Sequence, residues 1–478
     1  MSLLAEGRLD TETRVRVFDG DDAHADPQAL AHLEASLDGA DLAAPAIVLP
    51  DFHQKSNMEM PSSIAVATEG TIRPVLTSAS VNCGMALVTL DAERPTAAAI
   101  AAFYARIRET HPFPPTYRRD LTAEEVVRCA AEGAPFAADR FDVDRSMLDN
   151  VEKGGRLDVE RFGGIARVRR ELPWSVKQLS RIRFGTIGPS NHFVELQEVE
   201  EIFDPEAAAL LGLKAGGITM QYHGGGGSLP GEIGLLYGRR KRYPRPVRMQ
   251  MAVQKPLFHL AAARSWRELK LRRRLYFSRE YPPVERDSDE GERLLLANVM
   301  AMNYGFAFRV AAYGWLSSLA RECLGAQTPR LVVDSPHNSI YEEEVDGSPA
   351  IVHRHNAARS YPASRLRGHP VFGRIGQPLL LPGTNRTSSF VCVPGEESHR
   401  SLDSVCHGAG STIKSFVARG LSGRDPHGRT TLRFGYAGPD PVEVEQLDDR
   451  AVESALGLLA DARVVRPVAR LRPFAVLN

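Results

Sequence analysis

The sequence predicts an α+β protein with a single large catalytic domain. Two observations carry that prediction. Strand-like apolar runs and helical stretches occupy separate parts of the chain. Residues able to hold a metal or act as nucleophiles, Cys83, His192, His223, His337 and His407, come from both halves, and no repeat or low-complexity linker divides them. A length of 478 residues would allow more than one domain, so the spread of the chemistry decides. The expected organisation is an N-terminal segment over 1–44 and a catalytic domain over 45–478, with 94–180 as its helical part or an insertion.

The elements follow in order. Ala46-Ile47-Val48-Leu49-Pro50 is an apolar run ending in Asp51-Phe52-His53. Ser63 to Ala67 and Met85 to Leu90 read as buried strands, with Ser80-Val81-Asn82-Cys83-Gly84 as the loop or strand end between them. Residues 94–180 are charged and Ala-rich, a helical pattern interrupted by the stiff turn His111-Pro112-Phe113-Pro114-Pro115. Glu195 to Leu213 is helical in composition. Ile218 to Tyr222 reads as a strand running into His223 and four glycines. Glu292 to Leu319 is the next expected helix. The strand Arg330 to Val333 then delivers Asp334-Ser335-Pro336-His337-Asn338. The remaining chain alternates short strands with Gly/Pro turns.

Bulk numbers exclude several classes. Lys+Arg and Asp+Glu are both 59, so net charge favours no polyanionic partner and local basic runs must argue for one. Five scattered cysteines, an odd number, fit a reducing compartment better than a disulfide framework. The N-terminus reads as no signal peptide. No run is expected to approach the roughly 18 apolar residues of a membrane span. A cytoplasmic location is the expectation.

Cys83, His192, His223 and His337 stand at strand ends or in Gly-rich loops. A thiolate with several imidazoles suits a borderline divalent cation such as Zn, Mn, Co or Fe(II). A thiolate can also bridge two metals, an arrangement suited to phosphoryl chemistry. His407 lies in Cys406-His407-Gly408-Ala409-Gly410. There, glycines let backbone amides approach a phosphate, and a neutral imidazole is a competent nucleophile. Alone, each motif is weak, because an isolated histidine or Cys-Gly pair is ordinarily structural.

Together they resemble the RtcB-type RNA ligase family. Asp51-Phe52-His53 resembles its Pro-Asp-Val-His element, and Asn82-Cys83-Gly84-Met85 the end of its Asp-Ile-Gly-Cys-Gly-Met element. Gly185 to Glu195, with Asn191-His192-Phe193, is similar to its Gly-Thr-Leu-Gly-Gly-Gly-Asn-His-Phe element. His223 and its glycines, Asn303-Tyr304 with Arg309, His337-Asn338, His353-Arg354, Pro382-Gly383-Thr384 through Ser389, and Cys406 to Gly410 complete the family order. The resemblance spans about Leu49 to Asn478.

It implies an RtcB-like fold with a central metal and nucleotide cleft. The implied activity joins an RNA 3′-phosphate or 2′,3′-cyclic phosphate to a 5′-hydroxyl, using GTP and Mn(II) or another divalent metal. His407 becomes guanylylated, and GMP passes to the RNA 3′-phosphate. The implied metal ligands are Cys83, His192, His223 and His337. The implied nucleotide contacts are Asn191, His192, Glu195, His337, Asn338, Pro382, Gly383, Thr384, Ser389, His407, Gly408, Ala409, Gly410 and Asn478. The implied partners are RNA ends such as tRNA halves or damaged RNA, GTP and an activating protein, with no membrane.

The departures also predict. Ser80 stands where the family has a metal-binding Asp, so of two metal sites the one sharing Cys83 and His192 is expected to be weak. The one built from Cys83, His223 and His337 is expected to be intact. Ser411, Gly226-Gly227, His355 and Asn478 stand where the family has Arg, Ser-Arg, Lys and Lys. Arg354, Arg359, Arg386 and Lys414 are the candidates to compensate. The rival readings are an altered paralogue that binds nucleic-acid ends or nucleotide without ligating, and a metal-dependent phosphoesterase. Two basic runs, Arg239 to Arg248 with Tyr243 and Lys270 to Arg274 with Tyr276, are expected to contact nucleic acid.

Overall fold

Apolar runs separated by Gly and Asn turns pair into two principal sheets. The structure is a computed structural model, and it describes residues 14–478 other than 21, 23, 78, 114–118, 183, 239–240, 279–281 and 439. The larger sheet runs in the order Leu379–Leu381, Ser389–Pro394, Val465–Leu477, Phe193–Ile202, Ile218–Gly224, Gly84–Leu90, Arg330–Pro336. Thr430–Phe434 joins it beside Val465–Leu477, and Val442–Glu445 pairs with Thr430–Phe434. The five-stranded sheet runs Val15–Val17, Ala46–His53, Ser62–Thr68, Ser348–His355, Asn338–Val345. The stretch before residue 45 thus supplies an edge strand. It also supplies the helix Pro27–Ser36, whose Leu33 packs with Val48 and Ile64. Mostly antiparallel sheets with helices gathered elsewhere make a mixed α and β architecture, in line with the α+β expectation.

The helices expected over 94–180 are there, among them Ala97–Thr110, Ala123–Glu132 and Gly164–Glu171. Ala123–Glu132 opens with a reciprocal capping box between Thr122 and Glu125. Of the stiff turn after Thr110, Pro114 and Pro115 lie outside the described residues. The helix expected from Glu292 is longer, Asp289–Leu324, 36 residues. Ser288 caps it by accepting from Gly291 N–H at 3.0 Å, and Gly325 ends it in the left-handed region at φ 69°.

This helix corrects one expectation, since it is long and apolar enough to cross a membrane by length and composition. Here its apolar window is wholly buried inside the protein. Two of its buried amide side chains bond backbone carbonyls. Asn298 Nδ2 donates to the Ile340 carbonyl at 2.8 Å, and Asn303 Nδ2 to the Leu157 carbonyl at 3.0 Å.

The segment Glu195 to Leu213 also differs from its helical reading. It is mostly the strand Phe193–Ile202, followed by the short helix Pro205–Leu211. Its glutamates favour a helix by local propensity, but the strand lies between two others and its charges pair across them. Glu200 meets Arg472 at 2.9 Å, and Glu201 meets Arg470 at 3.5 Å. Tertiary pairing outweighs local propensity.

The second basic run is not a free surface. Arg272 is fully buried against Glu290 at 3.0 Å, and the Tyr276 hydroxyl donates to Glu290 at 2.8 Å. Its expected nucleic-acid contact therefore falls to Lys270, Arg273 and Arg274, which are exposed. Of the first run, Arg239 and Arg240 lie outside the described residues.

Candidate functional site

Strand register builds one end of the large sheet into a donor cluster. Gly84 pairs with Gly224 on one side and with Pro336 on the other, and His223 pairs with Phe193. Cys83, His192 and His337 each lie one residue beyond those pairs. Neighbouring strands are about 4.8 Å apart, so the four side chains converge. Cys83 Sγ is 3.2 Å from His223 Nε2 and 3.5 Å from His192 Nε2. The donor atoms of these three all lie within 4.8 Å of one another.

The tightest set is thus Cys83, His192 and His223, whereas the expected intact trio was Cys83, His223 and His337. His337 stands beside it, its ring centroid 5.1 Å from that of His223 and 4.3 Å from that of His407. Strand pairing alone would favour His337, because its strand is the direct neighbour of the Cys83 strand and His337 N–H donates to the Cys83 carbonyl at 2.9 Å.

The supports of this cluster are specific. Burial drives the His223 imidazole well below its ordinary pKa, so it is neutral with one N–H. Its Nδ1 lies 2.6 Å from the Asn191 carbonyl. A carbonyl only accepts, so Nδ1 carries the proton and the Nε2 lone pair faces Cys83. Arg309, fully buried, grips Asp334 through two 2.7 Å bonds and the Asn82 carbonyl at 2.6 Å. It thereby holds Asn82 at φ 55°, the left-handed turn that delivers Cys83. Gly225 leaves room for His192, since a Cβ there would lie 3.0 Å from His192 Cε1.

Burial pushes the Cys83 thiol up to about 11, against the pull of Arg309 and Lys55. A soft or borderline cation would ionise it. One buried sulfur with two converging imidazoles therefore fits a divalent metal.

His407 is stapled to this cluster by a separate two-stranded sheet. Ala357 pairs with Cys406, His407 N–H donates to the Asn356 carbonyl at 3.1 Å, and Ala357 N–H to the His337 carbonyl at 2.9 Å. The ring of His407 stands 6.2 Å from that of His223. Burial first, then the charge of Lys55, holds its pKa well below the ordinary value. The imidazole is neutral, and its Nδ1 is buried with no partner among the described residues.

The helix Gly410–Ala418 begins just after His407. Asp51, buried at φ 64°, closes that helix N-terminus by accepting from Ser411 and Thr412 N–H at 2.7 Å each. The Asp51-Phe52-His53 element thus fixes the approach of the helix that follows His407.

The other expected contacts sort into three groups. Pro382, Gly383, Thr384 and Ser389 pack beside Gly408 and Ala409. Ala409 N–H donates to the Pro382 carbonyl at 3.1 Å, Gly383 N–H to Ser389 Oγ at 3.3 Å, and Thr384 N–H to Thr387 Oγ1 at 2.9 Å. Gln197 bridges Ser389 Oγ at 3.2 Å to Glu195 at 2.7 Å, and burial raises the Glu195 carboxyl to about 8. Asn191 presents an exposed side chain next to His192.

Asn338 and Asn478 are engaged elsewhere. The Asn338 amide donates to the Ser80 carbonyl at 3.1 Å and accepts from Asn356 N–H at 2.9 Å, so it clamps loops. Asn478 follows Leu477, which pairs with Val194, and accepts from Arg433 Nε at 2.8 Å.

Residues 35–478 match the family model of the tRNA-splicing ligase RtcB. The chain belongs to the RtcB family. The tRNA-splicing ligase RtcB of Thermococcus kodakarensis is 27% identical over 460 residues, covering 90% of this chain and 87% of that protein. The Pyrococcus abyssi protein of the same name is 28% identical over 360 residues, covering 72% of this chain. The RNA-splicing ligase RtcB of Mycobacterium bovis is 28% identical over 364 residues, covering 70% of this chain and 77% of its own. The chain spans only about a third of the length of the Pyrococcus abyssi relative, 36%.

Within this RtcB-family chain, the expected compensating cations are mostly spoken for. Arg354 is buried in a bidentate pair with Glu343, both bonds 2.8 Å. Arg359 is buried beside Glu152 at 3.7 Å and bonds Gln377 at 3.2 Å. Arg386 donates to the Glu445 carbonyl at 3.0 Å. Lys414 is exposed on the His407 helix.

Besides Arg309, a second cation acts on the cluster from outside any of the expected motifs. Lys55 is half-buried, and its charge acts on Cys83, His337, His355 and His407. In Gln54-Lys55-Ser56-Asn57 it looks like part of a solvated turn. The only sequence signal was its place two residues after Asp51-Phe52-His53.

Proposed function

We propose that this RtcB-family chain is a cytoplasmic RNA ligase. It joins RNA 3′-phosphate or 2′,3′-cyclic phosphate ends to 5′-hydroxyl ends, dependent on GTP and on a divalent metal, Mn(II) by family likeness. The observation that carries the reading is a neutral His407 whose ring stands 4.3 Å from His337, beside the Cys83, His192 and His223 donors. An unprotonated imidazole at a helix N-terminus is prepared to attack a polyphosphate.

An imidazole nitrogen of His407 forms a bond to the α-phosphorus as the bond to pyrophosphate breaks. The GMP then passes to the RNA 3′-phosphate, and the 5′-hydroxyl oxygen displaces it. Cys83, His192 and His223, with His337 adjacent, would hold the metal, which supplies charge neutralisation for the phosphates when bound. The backbone of Gly408 to Gly410 and the Pro382 to Thr384 turn would cradle phosphate, and the Asn191 amide would donate to it.

The test is incubation with α-labelled GTP and Mn(II), then a denaturing gel. A covalent adduct stable in alkali and lost in acid, and absent in His407→Ala, is expected. An adduct that persists in His407→Ala would refute the nucleophile assignment. The altered-paralogue reading is favoured by one observation, the sequestration of Arg354 and Arg359 in buried ion pairs. It wins if wild-type protein binds RNA ends yet forms no adduct with Mn, Zn, Co or Mg. Release of phosphate from a 3′-phosphorylated RNA without any adduct would favour the phosphoesterase.

A further inference from the structure

His355 stands where the family carries a lysine, and no arginine nearby takes over, because Arg354 and Arg359 are closed in ion pairs with Glu343 and Glu152. Lys55 lies in the connection 54–61 between Ala46–His53 and Ser62–Thr68. Ser62–Thr68 pairs with Ser348–His355, setting Ile64 opposite His355. The Lys55 loop and the His355 end of its strand therefore lie at the same end of the five-stranded sheet.

The Lys55 charge reaches His355, and it also reaches His337 and His407. Its ammonium makes no hydrogen bond or ion pair among the described residues, although it is half-buried. Asp51 and Cys83 favour its charge, while burial and Lys414 oppose it. Asp51 is already committed to the amides of Ser411 and Thr412. A partly desolvated cation without its own anion is costly unless a ligand supplies one.

A second observation lies beside it. His355 is 1% exposed, its ring bonds the Pro61 carbonyl, and its Nδ1 is buried with no partner. A neutral imidazole that donates to a carbonyl keeps a bare acceptor on the other nitrogen. An ammonium donor next to a bare acceptor suits a phosphate flanked by a hydroxyl.

We propose that Lys55 is the relocated cation of this site and binds a substrate phosphate, with His355 Nδ1 accepting from a hydroxyl beside that phosphate. The proposal rests on the ligase reading. The phosphate belongs either to the RNA 3′ end, which carries a hydroxyl on the adjacent ribose carbon, or to the nucleoside triphosphate, whose ribose hydroxyls lie farther from its phosphates.

The test uses the full chain with Mn(II) and two probes that undergo no turnover alone. These are inorganic tripolyphosphate by calorimetry and a fluorescent 3′-phosphorylated RNA by anisotropy. Lys55→Ala is expected to weaken at least one probe by about ten- to a hundredfold, the range of a lost charge-assisted hydrogen bond. Lys55→Arg is expected to keep most of the binding, and Lys55→Ala with His355→Lys to recover it, at an unchanged melting temperature. Loss with tripolyphosphate assigns the nucleotide phosphate, and loss with RNA alone assigns the 3′ end.

Wild-type-like binding of both probes by Lys55→Ala overturns the proposal and leaves the ligase reading standing. A well-folded double variant that recovers nothing overturns the relocation. Wild-type protein that binds neither probe and forms no GMP adduct overturns both.

Discussion

Placing an alanine at Gly225 tests whether His192 binds metal. The new methyl would stand 3.0 Å from His192 Cε1 and 3.3 Å from its Nε2. Non-bonded carbons settle at about 3.5–4.0 Å, so the ring must retreat by roughly 0.5 Å or more. Metal–ligand distances tolerate about 0.2 Å. The shift therefore takes His192 out of a donor set in which it lies 3.5 Å from Cys83 Sγ. Disturbing only the support of a ligand costs about 10–100-fold in metal affinity, and at least that is expected here. Gly225 does not occupy the left-handed region, so alanine fits its backbone and the melting temperature should hardly move. Gly231→Ala, where a Cβ meets nothing within 4 Å, is the control. The assay is calorimetric titration with Mn(II) and Zn(II) beside His192→Ala. Wild-type affinity in both Gly225→Ala and His192→Ala would refute the reasoning.

Two other perturbations are informative. Ser80→Asp adds a carboxylate, giving five donors with Cys83, His192, His223 and His337, enough for two ions sharing the thiolate. Metal analysis after dialysis should rise from nearer one to nearer two per chain, and an unchanged count would show that residue 80 cannot reach the site. Glu195→Gln probes the buried carboxyl held at about 8. Below its ordinary pKa of about 4.3 both states are protonated and ionisation costs nothing. As pH rises toward 8 only the unfolded chain ionises, so wild-type stability falls by up to about 1.4 kcal/mol per unit. The glutamine variant should lack that slope, and parallel urea-melt curves from about pH 5 to about pH 8 would count against the assignment.

Much of the site was legible because its chemistry sits in contiguous motifs. Cys83, His223 and His337 end strands whose apolar runs are plain, and the Cys406 to Gly410 turn is self-announcing. The strand Phe193–Ile202 was not legible, because its glutamates take their meaning from arginines more than two hundred residues away in Val465–Leu477. Asn338 was expected at the nucleotide and Arg354 as a compensating cation; the structure also engages the first with the Ser80 carbonyl and the Asn356 N–H and the second with Glu343, which no local pattern discloses. Lys55 failed for the opposite reason. A lysine in a polar turn is ordinary until folding lays that turn beside His355 and His407. The approach of His192 to Cys83 was not legible either, because a whole strand, Ile218–Gly224, lies between theirs.

The strand Val465–Leu477 sits between Ser389–Pro394 and Phe193–Ile202, and the latter abuts the strand bearing His223. The four strands that end at the donors are direct neighbours, and Val465–Leu477 covers the outer side of Phe193–Ile202, which would otherwise be their open edge. Covering it demands contacts far apart in sequence, a slow step in folding. A chain ending before Val465 should refold without the metal affinity of the whole; one that kept it would show that the centre forms without its closing strand.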